Sequence, residues 1–236
     1  MPIVAVLGAG GGVGRLIVDQ LTSEGVFEVR AVVRSLEKYR SAFSGCEVVA
    51  GDVTDQGSLE TALAGVDTVI FAASGSTYFS PQHVDYQGVV NTLNASKSKS
   101  VKHLIVITSR LVNPSCRFHP IRVILNNIRY SLMDNKYLGE QAAQASTIPF
   151  TIIRPGGLFG GEGQRGEEKP SGVNYIEAVG PEGTGLQGTS IHRADVASVV
   201  ISAIGKQTAY GKTVEITGRE RTDEDPAFEE RLKQIF

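Results

Sequence analysis

The chain has no tryptophan, and its 236 residues include only two cysteines, two methionines and four histidines. Cys46 and Cys116 are too few for a disulfide scaffold and give metal ligation little support. A reducing compartment, the cytoplasm or an organelle stroma or matrix, is therefore expected. Charge of one sign is lacking too: 23 basic and 25 acidic residues leave a net charge of −2. That balance argues against a general electrostatic grip on nucleic acid or an anionic membrane. No uninterrupted apolar run reaches about 18 residues, so no transmembrane segment is predicted. No basic stretch precedes the first apolar run at Ile3, so no signal peptide is expected. Composition is otherwise that of a globular chain long enough to bury a core without staples.

Glycine is the residue in excess. Of 27 glycines, five fall within 8–14 and eleven within 156–188. Two such clusters imply two loops with special backbone demands rather than a low-complexity chain.

Elsewhere, short β-branched runs alternate with helical patterns. Strands are predicted over 3–7, 28–33, 47–50, 68–72, 103–108 and 150–154, and helices over 13–23, 57–63, 81–96 and 131–145. Runs such as IVAVL, TVIFA and LIVIT are apolar at every position, which suits strands covered on both faces. The expected fold is a doubly wound parallel α/β sheet with right-handed crossovers and helices on both faces. Residues 156–188 read as a loop, followed by a helix over 193–204, a strand over 213–217 and an amphipathic tail helix over 226–236. This part is too small for a second domain. It reads as a small cap or lid, over 156–236, on a single domain spanning 1–236.

The stretch IVAVL-GAGGGVG-RLIVDQL is a strand, a glycine loop and a helix in immediate succession. Gly8, Gly11 and Gly14 are spaced G-x-x-G-x-x-G, while Gly8, Gly12 and Gly14 give a second spacing; Val13 denies the regular G-x-G-x-x-G. Glycines here serve a tight turn, close approach of backbone to a pyrophosphate, and packing of helix on strand. The N–H groups that open the helix then face the phosphates. Gly8, Gly11, Gly12, Val13 and Gly14 thus form a candidate dinucleotide cradle. No G-x-x-x-x-G-K-[ST] pattern is present, which argues against an ATP-binding P-loop. Where an NAD-binding chain places a carboxylate, about 20 residues beyond the loop, this one has Arg34 and then Ser35. Arginine forks onto a 2′-phosphate that a carboxylate would repel, so the reading is NADP(H) over NAD(H). Arg15 either adds positive charge there or is simply solvated. In GDVTD (51–55), Asp52 suits the adenine amino group with Val53 over the ring, while Thr54 or Asp55 suits a helix cap. In FAASGS (71–76), small residues let a cofactor pass close to the backbone.

GAGGGVG (8–14), AVVRS (31–35), GDVTD (51–55), VITS (106–109), FTIIRPGGLFG (150–160) and HRADVA (192–197) resemble, in this order, the short-chain dehydrogenase/reductase superfamily. The closer resemblance is to its atypical branch, the NAD(P)-binding, NmrA-like proteins. It spans about residues 3–200 and implies a Rossmann-type sheet with the cofactor at the carboxyl ends of its strands. It also implies that Gly8, Gly11, Gly14, Arg34, Asp52 and Val53 hold the adenosine and pyrophosphate half. Ala72, Ala73 and Ser74 would line the path, and Pro155 and Gly156 would run near the nicotinamide.

Most reductases of that superfamily use Tyr-x-x-x-Lys with a serine at the end of the fifth strand. Ser109 fits the serine, and Lys136, in K-x-x-x-E, fits the lysine that holds the nicotinamide ribose. The tyrosine does not follow: Leu132 stands four residues before Lys136, and the alternative register offers Asp134 and Leu138. Tyr130 and Tyr137 are near in sequence only. Residues 110–130 read as a loop whose Arg117, Arg122 and Arg129 could receive an anionic substrate or partner, with His119 as a replacement acid; the same loop could be merely solvated. The second glycine cluster reads as a lid hinged at Gly156 and Gly157 or as a plain excursion. His192, Arg193 and Asp195 read as the start of a helix. Two functions stay open: an NADP(H)-dependent oxidoreductase acting on a small molecule, and a non-catalytic NADP(H)-binding redox-sensing regulator or assembly factor with a protein partner.

Overall fold

The computed structural model describes residues 1–160, 169–181 and 185–236. Along the chain run β1 (Ile3–Leu7), α1 (Gly12–Glu24), β2 (Glu28–Val33), α2 (Leu36–Tyr39), β3 (Glu47–Ala50), α3 (Gln56–Ala62) and β4 (Thr68–Phe71). A π-helical turn, Gln82–Tyr86, leads into α4 (Gln87–Ser98), then β5 (His103–Ile107), α5 (Pro120–Ile128), α6 (Leu132–Gln144) and β6 (Phe150–Pro155). Last come β7 (Gly157–Phe159), β8 (Tyr175–Val179), β9 (Ser190–His192), α7 (Arg193–Ser202), β10 (Lys212–Arg219) and α8 (Phe228–Ile235). Strand order is β3-β2-β1-β4-β5-β6-β10-β9-β7, with β8 antiparallel on β10. Strands β1 to β6 and β10 pair in parallel. The order reverses between β1 and β4, which opens a crevice at their carboxyl ends.

The uniformly apolar strands behave as the sequence implies. On β1, Val4 and Val6 face one core with Ile17 and Leu21 of α1 and Val196 and Val200 of α7. Ala5 and Leu7 face the other, with Leu59 of α3, Leu93 of α4 and Ala143 of α6. Each such aliphatic side chain, fully buried, contributes about 1.5–3 kcal/mol. Helix α1 buries Val13, Ile17, Val18 and Leu21 along one face, as its spacing requires. Helix α7 is buried on nearly every side, because α1 and the sheet enclose it. Gln20 of α1 locks the two helices together, donating to Ala194 O at 3.1 Å and accepting from Ser198 Oγ at 3.1 Å.

Two expectations are corrected. Residues 110–130 are not one loop: Pro120 opens α5, with the His119 ring accepting from Ile121 N at 3.3 Å as its cap. Nor is 156–188 loop throughout. β7 pairs with β9 and β8 with β10, so the C-terminal region is built onto the sheet. The rest of the expected lid, 161–168 and 182–184, lies outside the described residues.

At the opposite, amino-terminal end of β5, His103 is fully buried against Tyr210. Its Nε2 is 2.9 Å from Thr151 Oγ1, and that hydroxyl spends its proton on Ala209 O at 2.7 Å. His103 must therefore donate from Nε2, leaving Nδ1 bare and without a partner among the described residues. Burial pushes its pKa down to about 4. The folded chain then binds fewer protons than the unfolded chain between pH 4 and about 6.5. Stability is expected to fall by up to about 3 kcal/mol as pH drops through that window. Urea unfolding at several pH values checks this, with His103→Leu expected to flatten the slope; an unchanged slope would assign it to other groups.

Candidate functional site: a nucleotide crevice at the carboxyl ends of the strands

Gly8 follows β1 with φ of +79°, a conformation side chains resist, and a Cβ there would sit 2.8 Å from Ala73 N and Cα. The loop and the end of β4 therefore touch backbone to backbone. A Cβ on Gly14 would collide with Gly8 O, so α1 can start this close to the strand only with glycine. The first bond of the helix runs from Arg15 N–H to Gly11 O at 2.8 Å. The N–H groups of Gly12, Val13 and Gly14 precede it, and a helix supplies no partner to such groups. Gly11 caps the helix without a side chain, and the first turn carries no acid. A helix start of this kind, with N–H groups left over and no acid, fits a pyrophosphate, and the Tyr39 ring lies against Gly10 beside it. The far wall is Arg193, whose Nε would lie 3.0 Å from a Cβ on Gly12 and whose guanidinium also donates to Gly160 O.

Beyond β2, Arg34 is exposed and enters no hydrogen bond or ion pair among the described residues. Lys38 and Arg40 are exposed on the same short turn-and-helix segment, and Ser35 caps α2 through Lys38 N at 3.4 Å. Arg15 points along α1 toward Asp19, at 3.9 Å. Asp52 folds back on its own turn, its Oδ1 accepting from Thr54 N at 2.9 Å and Thr54 Oγ1 at 2.8 Å. Asp55, rather than Thr54, caps α3. Val53 is buried beneath α4, and its carbonyl accepts from Asn91 at 2.9 Å. Ala72 and Ala73 are half-buried beside Gly8, and Ser74 is exposed. Six strand ends thus bring Gly8, Arg34, Asp52, Ala72, Ser109 and Gly156 to the same side of the sheet.

The other half of the crevice is organised by buried charge. Lys136 and Glu140 lie one turn apart on the buried face of α6. Lys136 Nζ meets Asp85 Oδ1 at 2.7 Å, and the Asp85 side chain is 1% exposed. Asp85 also accepts from Ser74 Oγ at 2.9 Å and from Gly75 N at 2.8 Å, so one carboxylate fixes the loop after β4 and the lysine together. Glu140 takes Arg154 through Nε at 3.1 Å and Nη2 at 2.7 Å, and Thr108 Oγ1 at 2.5 Å. Arg154 reaches on to Glu215 of β10 at 3.2 Å, and Glu215 meets Arg110 at 3.5 Å. Burial opposes the Arg154 charge, but the two carboxylates more than offset it and hold its pKa above the ordinary value. Burial pushes Glu215 up despite Arg154 and Arg110. Ser109 sits half-buried at the end of β5, and its hydroxyl has no partner among the described residues. Asp85, Glu140 and Arg154 were not singled out from sequence as site residues. An arginine inside the apolar run TIIRP was the available signal, since a charge buried in a strand requires partners.

Other candidates are bound to structural tasks. Arg122 is buried, donating to the carbonyls of Leu111, Val112 and Asn113 and pairing with Asp134 at 2.6 Å. Arg129 donates to Gly75 O at 3.0 Å, while Arg117 lies over Phe118. Tyr137 accepts from Gln141 and packs against the small core of Val112, Leu132 and Met133. Tyr130 projects into an exposed cluster of rings. Pro155 is buried at the end of β6. The N–H groups of Gly156 and Gly157 bond to Ile216 O and Thr189 O, both at 2.9 Å, which ties both glycines to neighbouring backbone. Asp195, in the first turn of α7, accepts from Gly172 N at 2.8 Å; its pKa is raised by burial.

A doubly wound sheet with a side-chain-free helix start at its switch point defines a dinucleotide-binding Rossmann protein. The family model described as NAD(P)H-binding matches residues 8–207, and the chain belongs to that family. An uncharacterized chloroplastic protein of Arabidopsis thaliana, At2g34460, is 34% identical over 92% of this chain and 76% of its own length. Sanguinarine reductase of Eschscholzia californica is 25% identical over 90% of this chain and 88% of its own. The crystal structure of the oxidoreductase ylbE from Lactococcus lactis superposes with a TM-score of 0.80 at 20% identity, covering 99% of this chain and 96% of that one. The chain is thus similar to oxidoreductases in fold and in sequence. No helix among the described residues is long and apolar enough to cross a membrane.

Gly14→Ala is expected to lower thermal stability because of the collision with Gly8 O. A Cβ on Gly11 would lie 3.3 Å from Gly8 O, a milder contact than on Gly14, and Gly11→Val is expected to abolish cofactor binding while the fold persists. Retained binding in Gly11→Val would reduce the loop to a turn. Asp85→Ala strands a buried lysine and is expected to cost about 3–5 kcal/mol in urea unfolding. Adding Lys136→Met should recover much of it; an equal loss in single and double variants would mean that the ion pair does not govern stability.

Proposed function

We propose that the chain is an NADP(H)-dependent oxidoreductase of the atypical short-chain class. The observation that carries this reading is Arg34, an uncommitted guanidinium at the end of β2, where a 2′-phosphate lies if the pyrophosphate sits on the start of α1. The sanguinarine reductase and ylbE similarities support an oxidoreductase. When bound, a reduced nicotinamide supplies a hydride to an acceptor. In this reading the N–H groups of Gly12, Val13 and Gly14 hold the pyrophosphate, and Arg34 forks onto the 2′-phosphate. Asp52 and Val53 serve the adenine, while Ala72, Ala73 and Ser74 line the path. Pro155 and Gly156 border the nicotinamide. Lys136, oriented by Asp85, hydrogen-bonds the nicotinamide ribose, and Ser109 Oγ donates to the acceptor's oxygen and polarises it. Water delivers the final proton, because the buried Leu132 occupies the usual tyrosine position.

A second reading is a non-catalytic NADP(H)-binding regulator or assembly factor. Leu132 favours it, as does the capture of the Lys136 ammonium by Asp85. The two free cysteines suit a reducing cytoplasm, stroma or matrix in either case, and the chloroplastic relative supports a stroma.

Titration with NADPH and NADH, followed by reduced-nicotinamide fluorescence, tests the cofactor assignment. Arg34→Ala is expected to weaken NADPH by about 1–3 kcal/mol and leave NADH nearly unchanged. Equal losses for both cofactors would remove the 2′-phosphate from Arg34. NADPH oxidation with a carbonyl or enone acceptor, lost in Ser109→Ala, separates the enzyme from the regulator. Absence of turnover across such acceptors would favour the regulator.

A further inference from the structure

The described residues expose large apolar side chains mainly on one stretch of surface. Tyr78, Phe79 and Tyr130 are 46%, 71% and 53% exposed, and α5, which ends just before Tyr130, exposes Ile121, Ile124 and Ile128. Scattered apolar residues need no explanation, but a contiguous patch marks a binding surface. Three features tie the ring cluster to the nucleotide crevice. Tyr78 and Phe79 meet edge to face at 4.8 Å, and each lies 6.1 Å from the Tyr130 ring. Tyr130 N donates to Tyr78 O at 2.9 Å, and Arg129 donates to Gly75 O, so the two segments bearing the rings are stitched together. Gly75 and Ser74 are in turn held by Asp85, the partner of Lys136. The segments that carry the rings are therefore bonded to the loop after β4, whose Ser74 and Gly75 share Asp85 with Lys136. That placement beside Lys136 suits a small-molecule acceptor that must meet the nicotinamide.

From this juxtaposition we propose that Tyr78, Phe79 and Tyr130 form an aromatic platform for a large, planar, conjugated acceptor, which stacks on one ring face and meets the edges of the others while its reducible end reaches Ser109 and Lys136. The proposal rests on the oxidoreductase reading and names its substrate class. Exposed rings held rigid in mutual contact offer π-faces and edges to such a ligand at little entropic cost. A two-electron reduction of the acceptor takes one hydride from the reduced nicotinamide and one proton from water, leaving oxidised nicotinamide.

The test compares 9,10-phenanthrenequinone with 2,3-butanedione, which present the same vicinal dicarbonyl with and without a planar surface. Binding of each is measured by calorimetry with and without NADPH, in the intact chain, in Phe79→Ala and in Phe79→Ala/Tyr130→Ala. The quinone is expected to bind at least about tenfold more tightly than butanedione, and the double variant to lose most of that advantage. NADPH affinity and melting temperature should not change. Equal affinity for both dicarbonyls, or a double variant that still binds the quinone fully, would overturn the platform. So would a concentration-dependent dimer, seen by light scattering, that the double variant dissociates, since the rings would then cover a second copy. Failure of NADPH to bind would instead defeat the oxidoreductase reading, and quinone binding without cofactor would still decide for or against the platform.

Discussion

The rest of the site depends on the ion network that Arg154 makes inside the sheet. A guanidinium on a buried strand is tolerable only with its charge matched and its donors used. Glu140 and Glu215 match it from opposite sides, one on a helix and one on the neighbouring strand, and Arg110 restores neutrality. The geometry then fixes more than the pair itself. With Glu140 clamped to β6, α6 cannot rotate about its axis, and Lys136, one turn earlier on the same face, is delivered to Asp85. Asp85 in turn sets the loop after β4. Removing one member of such a chain leaves an uncompensated charge, which costs far more than an exposed salt bridge.

The nucleotide half was legible in sequence because its demands fall on backbone, and backbone demands select glycine. Gly8 and Gly14 are irreplaceable for steric reasons that need no partner elsewhere in the chain. Arg34 was legible because it stands at a defined offset along a strand. The half around Lys136 was legible only in part. Ser109 and Lys136 were named from motif position, but Asp85 lies in a helical turn whose sequence, QHVDYQG, looks like an ordinary solvated helix start. Its role appears only when α6 is packed against it.

The misread segments have the same cause. β7 and β8 lie in a glycine-rich stretch that offers little side-chain alternation, and their strand character comes from pairing with β9 and β10. Helix α5, PIRVILNNI, was hidden by the arginines around it: its one charged residue, Arg122, looks solvent-bound in sequence but turns inward to collect three carbonyls. Long side chains of this kind bury their stems and choose their partners in three dimensions.

The position of β10 has a consequence for how the molecule is made. It lies between β6 and β9, strands that both precede it in the chain. A nascent chain emerging from the ribosome can assemble β1 to β5 in order, but β6 lacks its outer neighbour and Arg154 its second carboxylate until residues 212–219 have been synthesised. Closure of the sheet is therefore a late, non-local event, and until then an apolar strand edge is open to wrong partners. The segment that completes the fold is also the one that neutralises the buried arginine.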